Sequence, residues 1–118
     1  MFDRLKAGVD VIRKRAGVAV RNDAAQAEVD RSAQQLTLYY RPTCPFCIKV
    51  FIALRRLDVP VQRRNIGADD AARRELVAEG GRQMVPCLRI EEGEQPRWLY
   101  ESDDIIAYLE SRFGTGRC

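Results

Sequence analysis

Apolar residues change their spacing at Leu36, and that change divides the chain. Before it, Phe2, Leu5, Val9, Ile12, Ala16 and Ala19 recur at alternating steps of three and four. Such a stripe, about 100° wide on a helical wheel, predicts an amphipathic helix over 2–21. Asp23 to Gln35, polar and alanine-rich, reads as a second helical piece or a linker. From Leu36 onward the runs are shorter and punctuated. "LTLYY" predicts a buried strand that Pro42 stops. Pro45 then occupies a favourable first helical position, and Ile48, Phe51, Ile52, Leu54 and Leu57 supply an apolar face until Asp58 and Pro60 end the helix. "VPVQRRNI" alternates as a second strand, and "ADDAARRELVAEGG" is a helix with an acidic start and a double-glycine stop. "VPCLRI" reads as a third strand, "EEGEQ" as a hairpin turn and "RWLYE" as the returning strand. Ser102 is the predicted N-cap of a last helix, with Ile105, Ile106, Leu109 and Phe113 facing inward.

The order from residue 36 is β-α-β-α-β-β-α. Two strands joined through a helix pack in parallel, and the last two form an antiparallel hairpin. The expectation is an α/β domain over 36–118, a four-stranded mixed sheet flanked by helices, preceded by a helical extension over 1–35. At 118 residues the chain can form a single core without metal or disulfide staples.

Charge sharpens the division at the N-terminus. Residues 1–23 hold six basic side chains against Asp3, Asp10 and Asp23, while the other residues carry equal numbers of each sign. The formal net charge of +3 therefore belongs to the extension. Three fates suit such a helix: packing on the protein's own fold, pairing with a copy of itself, or lying on an anionic membrane. Its seam is short for a coiled coil and ends in alanines. Asp3 and Asp10 dilute the charge that a membrane would attract, and no tryptophan anchors the apolar face. Packing on the fold is the preferred expectation. No nucleic-acid partner is expected. No apolar run approaches the roughly 20 residues of a membrane span, and no secretory cleavage pattern is present, so a cytoplasmic location is expected.

Histidine is absent, which removes Ser-His-Asp and Cys-His nucleophile pairs and histidine-ligated metals. The chemistry that remains lies in "RPTCPFCIKVF", residues 41–51. A zinc ribbon needs a second cysteine pair of similar spacing, and only Cys87 and Cys118 are left. A structural disulfide between residues three apart closes too short a loop to stabilise much. A redox dithiol suits the context better, because a strand-to-helix junction places Cys44 at a helix N-terminus. Unpaired N–H groups and the helix dipole there favour a thiolate. Cys44 is then the nucleophile and Cys47, one turn inside, the resolving thiol, with Pro45 and Phe46 fixing the turn between them. Val85-Pro86 follows a loop and begins a strand. A cis bond there would turn the backbone of Val85 outward to pair with an extended peptide, and a trans proline at a strand start is the plain alternative.

"YYRPTCPFC" resembles the glutaredoxin signature, "GRQMVP" that family's "GRxTVP", and "SDDIIAYL" its acidic helix start. The likeness covers roughly residues 36–113. It implies a thioredoxin-like fold and a glutathione-dependent thiol–disulfide oxidoreductase that acts on disulfide-bonded or glutathionylated proteins through the CPFC dithiol. It also implies that Cys44 forms the mixed disulfide with glutathione, with Phe46 and Pro86 beside it. Arg41 and Arg82 would meet the glycine carboxylate, and Val85 would pair with the tripeptide's cysteine. Ser102 and Asp103 would hold the γ-glutamyl end. Glutathione enters as co-substrate, and no metal is expected. Met84 stands where the family has threonine, and Tyr100-Glu101 where it has a glycine pair. "YESDDIIAYLE" is closer to the Glu101-Ser102 type of glutathione-binding turn in glutathione transferase N-terminal domains. The alternative function is a glutathione-binding or iron–sulfur-bridging module, against which Pro45 counts because the family's cluster carriers have glycine there. A dithiol reductant fed by thioredoxin reductase has no distinguishing motif. Cys87 is read as a small core residue with a regulatory role left open, and Cys118 as an incidental thiol.

Overall fold

The computed structural model of the protein describes residues 21–114. The helix expected over 2–21 lies outside them except for Arg21, and Cys118 lies outside them as well. The elements in chain order are α1 (Asp23–Ala33), β1 (Leu36–Tyr40), α2 (Pro45–Leu57), β2 (Gln62–Asn65), α3 (Asp70–Glu75), β3 (Cys87–Ile90), β4 (Arg97–Leu99) and α4 (Ser102–Phe113). After Glu75 the backbone continues as a wider π turn, Leu76–Gly80. The strands form one sheet in the order β2-β1-β3-β4. β1 and β2 are parallel, and the pairs β1/β3 and β3/β4 are antiparallel, so the thioredoxin-like arrangement expected from the chain is the one observed.

Strand periodicity explains the layering. Successive side chains of a strand point to opposite faces. Leu36 and Leu38 of β1 join Leu88 and Ile90 of β3 in a cluster with Val50 and Leu54 of α2 and Ile105 and Leu109 of α4. Tyr39, the next residue of β1, points to the other face and joins Cys87, Ile66, Ala72 and Leu76 under α3. β1 is apolar on both faces because helices cover both. α1 contributes to the first cluster through Ala33, with Val29 packed against it.

Two expectations are corrected here. Ile48 and Ile52 do not face the core: they are 47% and 62% exposed, and α2 buries Cys47, Val50, Ala53, Leu54 and Leu57 instead. More than half of this helix's circumference is apolar, so its periodicity alone does not select the buried side. The helix after β2 is α-helical only to Glu75. Its π turn ends at Gly81, whose φ of +90° is open to glycine at little cost.

Candidate active site

Cys44 is the last extended residue before α2, with φ −83° and ψ 118°, and Pro45 follows at the first helical position. Proline loses nothing there, since it lacks the N–H that this position would leave unpaired. Ile48 N–H donates to the Cys44 carbonyl at 3.1 Å, and Cys44 N–H donates to the Arg41 carbonyl at 3.2 Å. No side chain caps this end, so the first-turn N–H groups stay available to a ligand. Cys44 is half-buried, Cys47 is fully buried, and both are free thiols. Burial pushes the Cys47 thiol up to about 11, and Cys44 adds to the rise, while a backbone hydrogen bond at Arg41 offsets part of it. One cysteine is accessible; the other is held protonated.

The strand-entry loop comes to meet Cys44. The Val85-Pro86 bond is cis, and the Cys44 thiol lies 3.9 Å from the Val85 carbonyl, to which it donates. Pro86 is buried and Val85 half-buried. Two segments 41 residues apart in the chain thus form one wall of the site. Phe46 and Met84, 58% and 39% exposed, stand beside them at the surface.

The start of α4 forms the second wall. Glu101 is the extended cap residue, with φ −85° and ψ 132°, and its carbonyl accepts the first helical bond from Ile105 N–H at 2.9 Å. The expectation that Ser102 caps the helix is therefore displaced by one residue, because the backbone is already helical at Ser102. Ser102 is buried, and Glu101 makes no side-chain cap bond. Lys49 Nζ donates to Asp103 Oδ1 at 3.0 Å, which ties the beginning of α2 to the beginning of α4. Both side chains are largely exposed. Such a pair contributes little, so a ligand ammonium can displace Lys49.

Arg41 and Arg82 are exposed, and among the described residues neither is paired with a carboxylate. Arg82 is not loose, however: its guanidinium lies 5.5 Å from the centre of the Tyr100 ring, and its carbonyl accepts from the Tyr100 hydroxyl at 3.4 Å. Below the loop, Cys87 is fully buried, and burial pushes its thiol up to about 12. A network behind it joins Tyr39 to Glu75, Glu75 to Arg64 at 2.8 Å, and Arg64 to Asp69 at 3.3 Å. Burial and the Glu75 carboxylate push the Tyr39 phenol well above its ordinary range. Tyr100 is the site residue that sequence reasoning passed over. Its signal was present, as a bulky ring where the glutaredoxin pattern has glycine. Among the described residues no cluster of acidic or cysteine side chains could hold a metal ion, and no helix is long and apolar enough to cross a membrane.

Comparison with known proteins bears on the family and the fold. The family described as "Glutathione S-transferase, N-terminal domain" matches residues 38–117. The chain is 34% identical over 94 residues to prostaglandin E synthase 2 of Mus musculus, covering 80% of this chain and 23% of the synthase. It is 33% identical over 81 residues to maleylacetoacetate isomerase of Pseudomonas aeruginosa, covering 67% of this chain and 37% of the isomerase. The chain thus spans well under half the length of these relatives. Among solved structures, a thioredoxin-like protein superposes with a TM-score of 0.55 at 25% identity, over 65% of this chain and 91% of its own. A trimeric glutathione transferase of Leishmania superposes with a TM-score of 0.57 at 29% identity, over 70% of this chain and 18% of its own. These matches support a glutathione-transferase-related chain on a thioredoxin-like fold; they do not single out the glutaredoxins.

Proposed function

The chain belongs to the family of the glutathione S-transferase N-terminal domain, and from that premise we propose that it is a glutathione-dependent thiol–disulfide oxidoreductase. One observation carries the reading: a half-exposed Cys44 at the uncapped start of α2, paired with a fully buried Cys47 one turn inside. An accessible thiol at a helix start is a nucleophile for disulfide exchange, and a second thiol one turn inside can close on it when the substrate is a protein disulfide.

In this reading the Cys44 thiolate attacks the glutathione sulfur of a mixed disulfide. The sulfur–sulfur bond to the substrate breaks, the substrate leaves as a thiolate that takes a proton from water, and a Cys44–glutathione disulfide forms. A second glutathione thiolate then attacks, releasing glutathione disulfide and restoring Cys44. Cys47 is poorly suited to that second step. Burial raises its thiol and so disfavours the thiolate that the attack needs. Glutathione itself is therefore the resolving nucleophile for small mixed disulfides. Arg41 and Arg82 meet the glycine carboxylate, Val85 pairs its backbone with the ligand's cysteine, and Phe46 and Pro86 flank the sulfur. Glu101, Ser102 and Asp103 receive the γ-glutamyl end, with Asp103 exchanging Lys49 for the ligand's ammonium. The disulfide partners are glutathionylated or disulfide-bonded proteins, and a reducing compartment such as the cytoplasm suits the chemistry.

The test is turnover of a glutathionylated peptide with glutathione as reductant, run beside thioredoxin reductase. Turnover with glutathione is the expected result. Glutathione binding without turnover would transfer the site to a binding module, and a visible absorbance in freshly purified protein would mark that module as an iron–sulfur carrier.

A further inference from the structure

The loop from Arg82 to Cys87 carries Met84, Val85 and Pro86 past the Cys44 sulfur, and both of its feet rest on one side chain. At the first foot the Tyr100 hydroxyl donates to the Arg82 carbonyl at 3.4 Å, and the Arg82 guanidinium lies 5.5 Å over the same ring. At the second foot the Tyr100 ring packs against the buried cluster that holds Cys87.

The surroundings are shaped for this ring. A β-carbon placed on Gly80, at the end of the π turn, would stand 2.4 Å from the Tyr100 oxygen and 2.9 Å from Trp98 Cε3. The chain therefore passes under the ring at a distance that suits glycine. Tyr100 also directly precedes Glu101 and Ser102, the turn that opens α4. The ring thus stands between the loop that reaches one part of the site and the turn that builds another.

We propose that Tyr100 is the positioning residue of the thiol-ligand pocket, holding the Arg82–Cys87 loop at a fixed distance from the Glu101–Ser102 turn. This rests on the oxidoreductase reading above and deepens it: Tyr100 acts on recognition of the glutathionyl group through Arg82 and Val85, and does not touch the reacting sulfurs. Its ring holds the guanidinium over the surface where an anionic end group would arrive, and its hydroxyl holds the backbone that follows.

Tyr100→Phe keeps the ring and removes the hydroxyl's bond to the Arg82 carbonyl. Losing a neutral hydrogen bond predicts a roughly 3- to 10-fold rise in KM for a glutathionylated peptide, with kcat within about 2-fold. Alkylation of Cys44 by iodoacetamide keeps its rate, while Cys87 becomes more open to a small maleimide. Tyr100→Leu removes the ring too and raises KM further. In a Tyr100→Leu background, Arg82→Ala adds less than it does alone, because Tyr100 works through Arg82. Gly80→Ala, which displaces the ring from the other side, reproduces the KM effect. An unchanged KM in Tyr100→Phe and Tyr100→Leu, or fully additive losses with Arg82→Ala, would overturn the proposal. Calorimetric titration with glutathione separates the two levels. Binding by the natural chain that equals binding by Tyr100→Leu rejects the positioning role alone, and no binding by the natural chain rejects both readings.

Discussion

Helices α1 and α3 begin under a side-chain cap, whereas α2 and α4 begin without one. Asn22 accepts from Ala25 N–H at 2.7 Å to start α1, and Asp69 accepts from Ala72 N–H at 3.1 Å to start α3. Cys44 and Glu101, in the same position at α2 and α4, make no such bond. The opposite ends of these two helices are closed. Arg21 donates to the carbonyl of Leu57, the last residue of α2, at 2.7 Å, and to that of Phe113, the last residue of α4, at 2.6 Å. A buried guanidinium here satisfies two orphan carbonyls and sits where two helix dipoles are negative. The contrast teaches where this fold withholds its own hydrogen-bonding groups. Two helices are sealed at the back and open at the front, and the open front is where Cys44, Val85 and Ser102 lie.

The largest effect belongs to the open end of α2. Cys44→Ser abolishes turnover of glutathionylated substrate, while Cys47→Ser retains it, as measured by glutathione release. Equal loss in both variants would mean that Cys47 is the obligatory resolving thiol and that its burial does not keep it out of the reaction.

At the closed ends, Arg21→Met leaves two buried carbonyls without their charged donor. The expected loss is about 3 kcal/mol in denaturant unfolding, with Cys44 alkylation unchanged. Stability equal to that of the natural chain would mean that water serves those carbonyls as well as Arg21 does.

The buried thiols set the alkaline limit. Cys47 and Cys87 rise from 9.0 to about 11 and about 12. For an acid whose folded value is raised, the stabilising contribution is complete below the unfolded value and is lost as pH climbs through the folded one. Stability should hold up to about pH 9 and then fall by on the order of 1 kcal/mol per pH unit for each thiol until its folded value is passed. Cys87→Ala should flatten the upper part of that decline in a pH series of melts.

The smallest effects probe the comparison itself. Asn22→Ala removes a cap and should cost about 1 kcal/mol. Glu101→Ala removes no cap bond and should stay within about 0.5 kcal/mol of the natural chain. Matching losses from the two substitutions would erase the distinction between capped and open helices.

The succession of strands and helices from residue 36 and the dithiol's place at a helix start were legible in the chain, because each depends on residues a few positions apart. "LTLYY" is apolar on successive positions and so must be covered on both faces, and Pro45 after Cys44 marks a helix start wherever the segment lies. The cis bond at Val85-Pro86 was legible only as one of two options, since the isomer depends on what surrounds it. The buried side of α2 was not legible: Ile48 and Ile52 are as apolar as Val50 and Leu54, and only the position of the sheet chooses between them. Nor was the place of Arg21, whose partners lie 36 and 92 residues away, or the bond of Tyr100 to Arg82, 18 residues back. Periodicity and capping are local and are written in neighbouring residues. Which carbonyl meets which guanidinium is decided when the helices pack, for a buried polar group takes the partner that the assembled fold brings within reach.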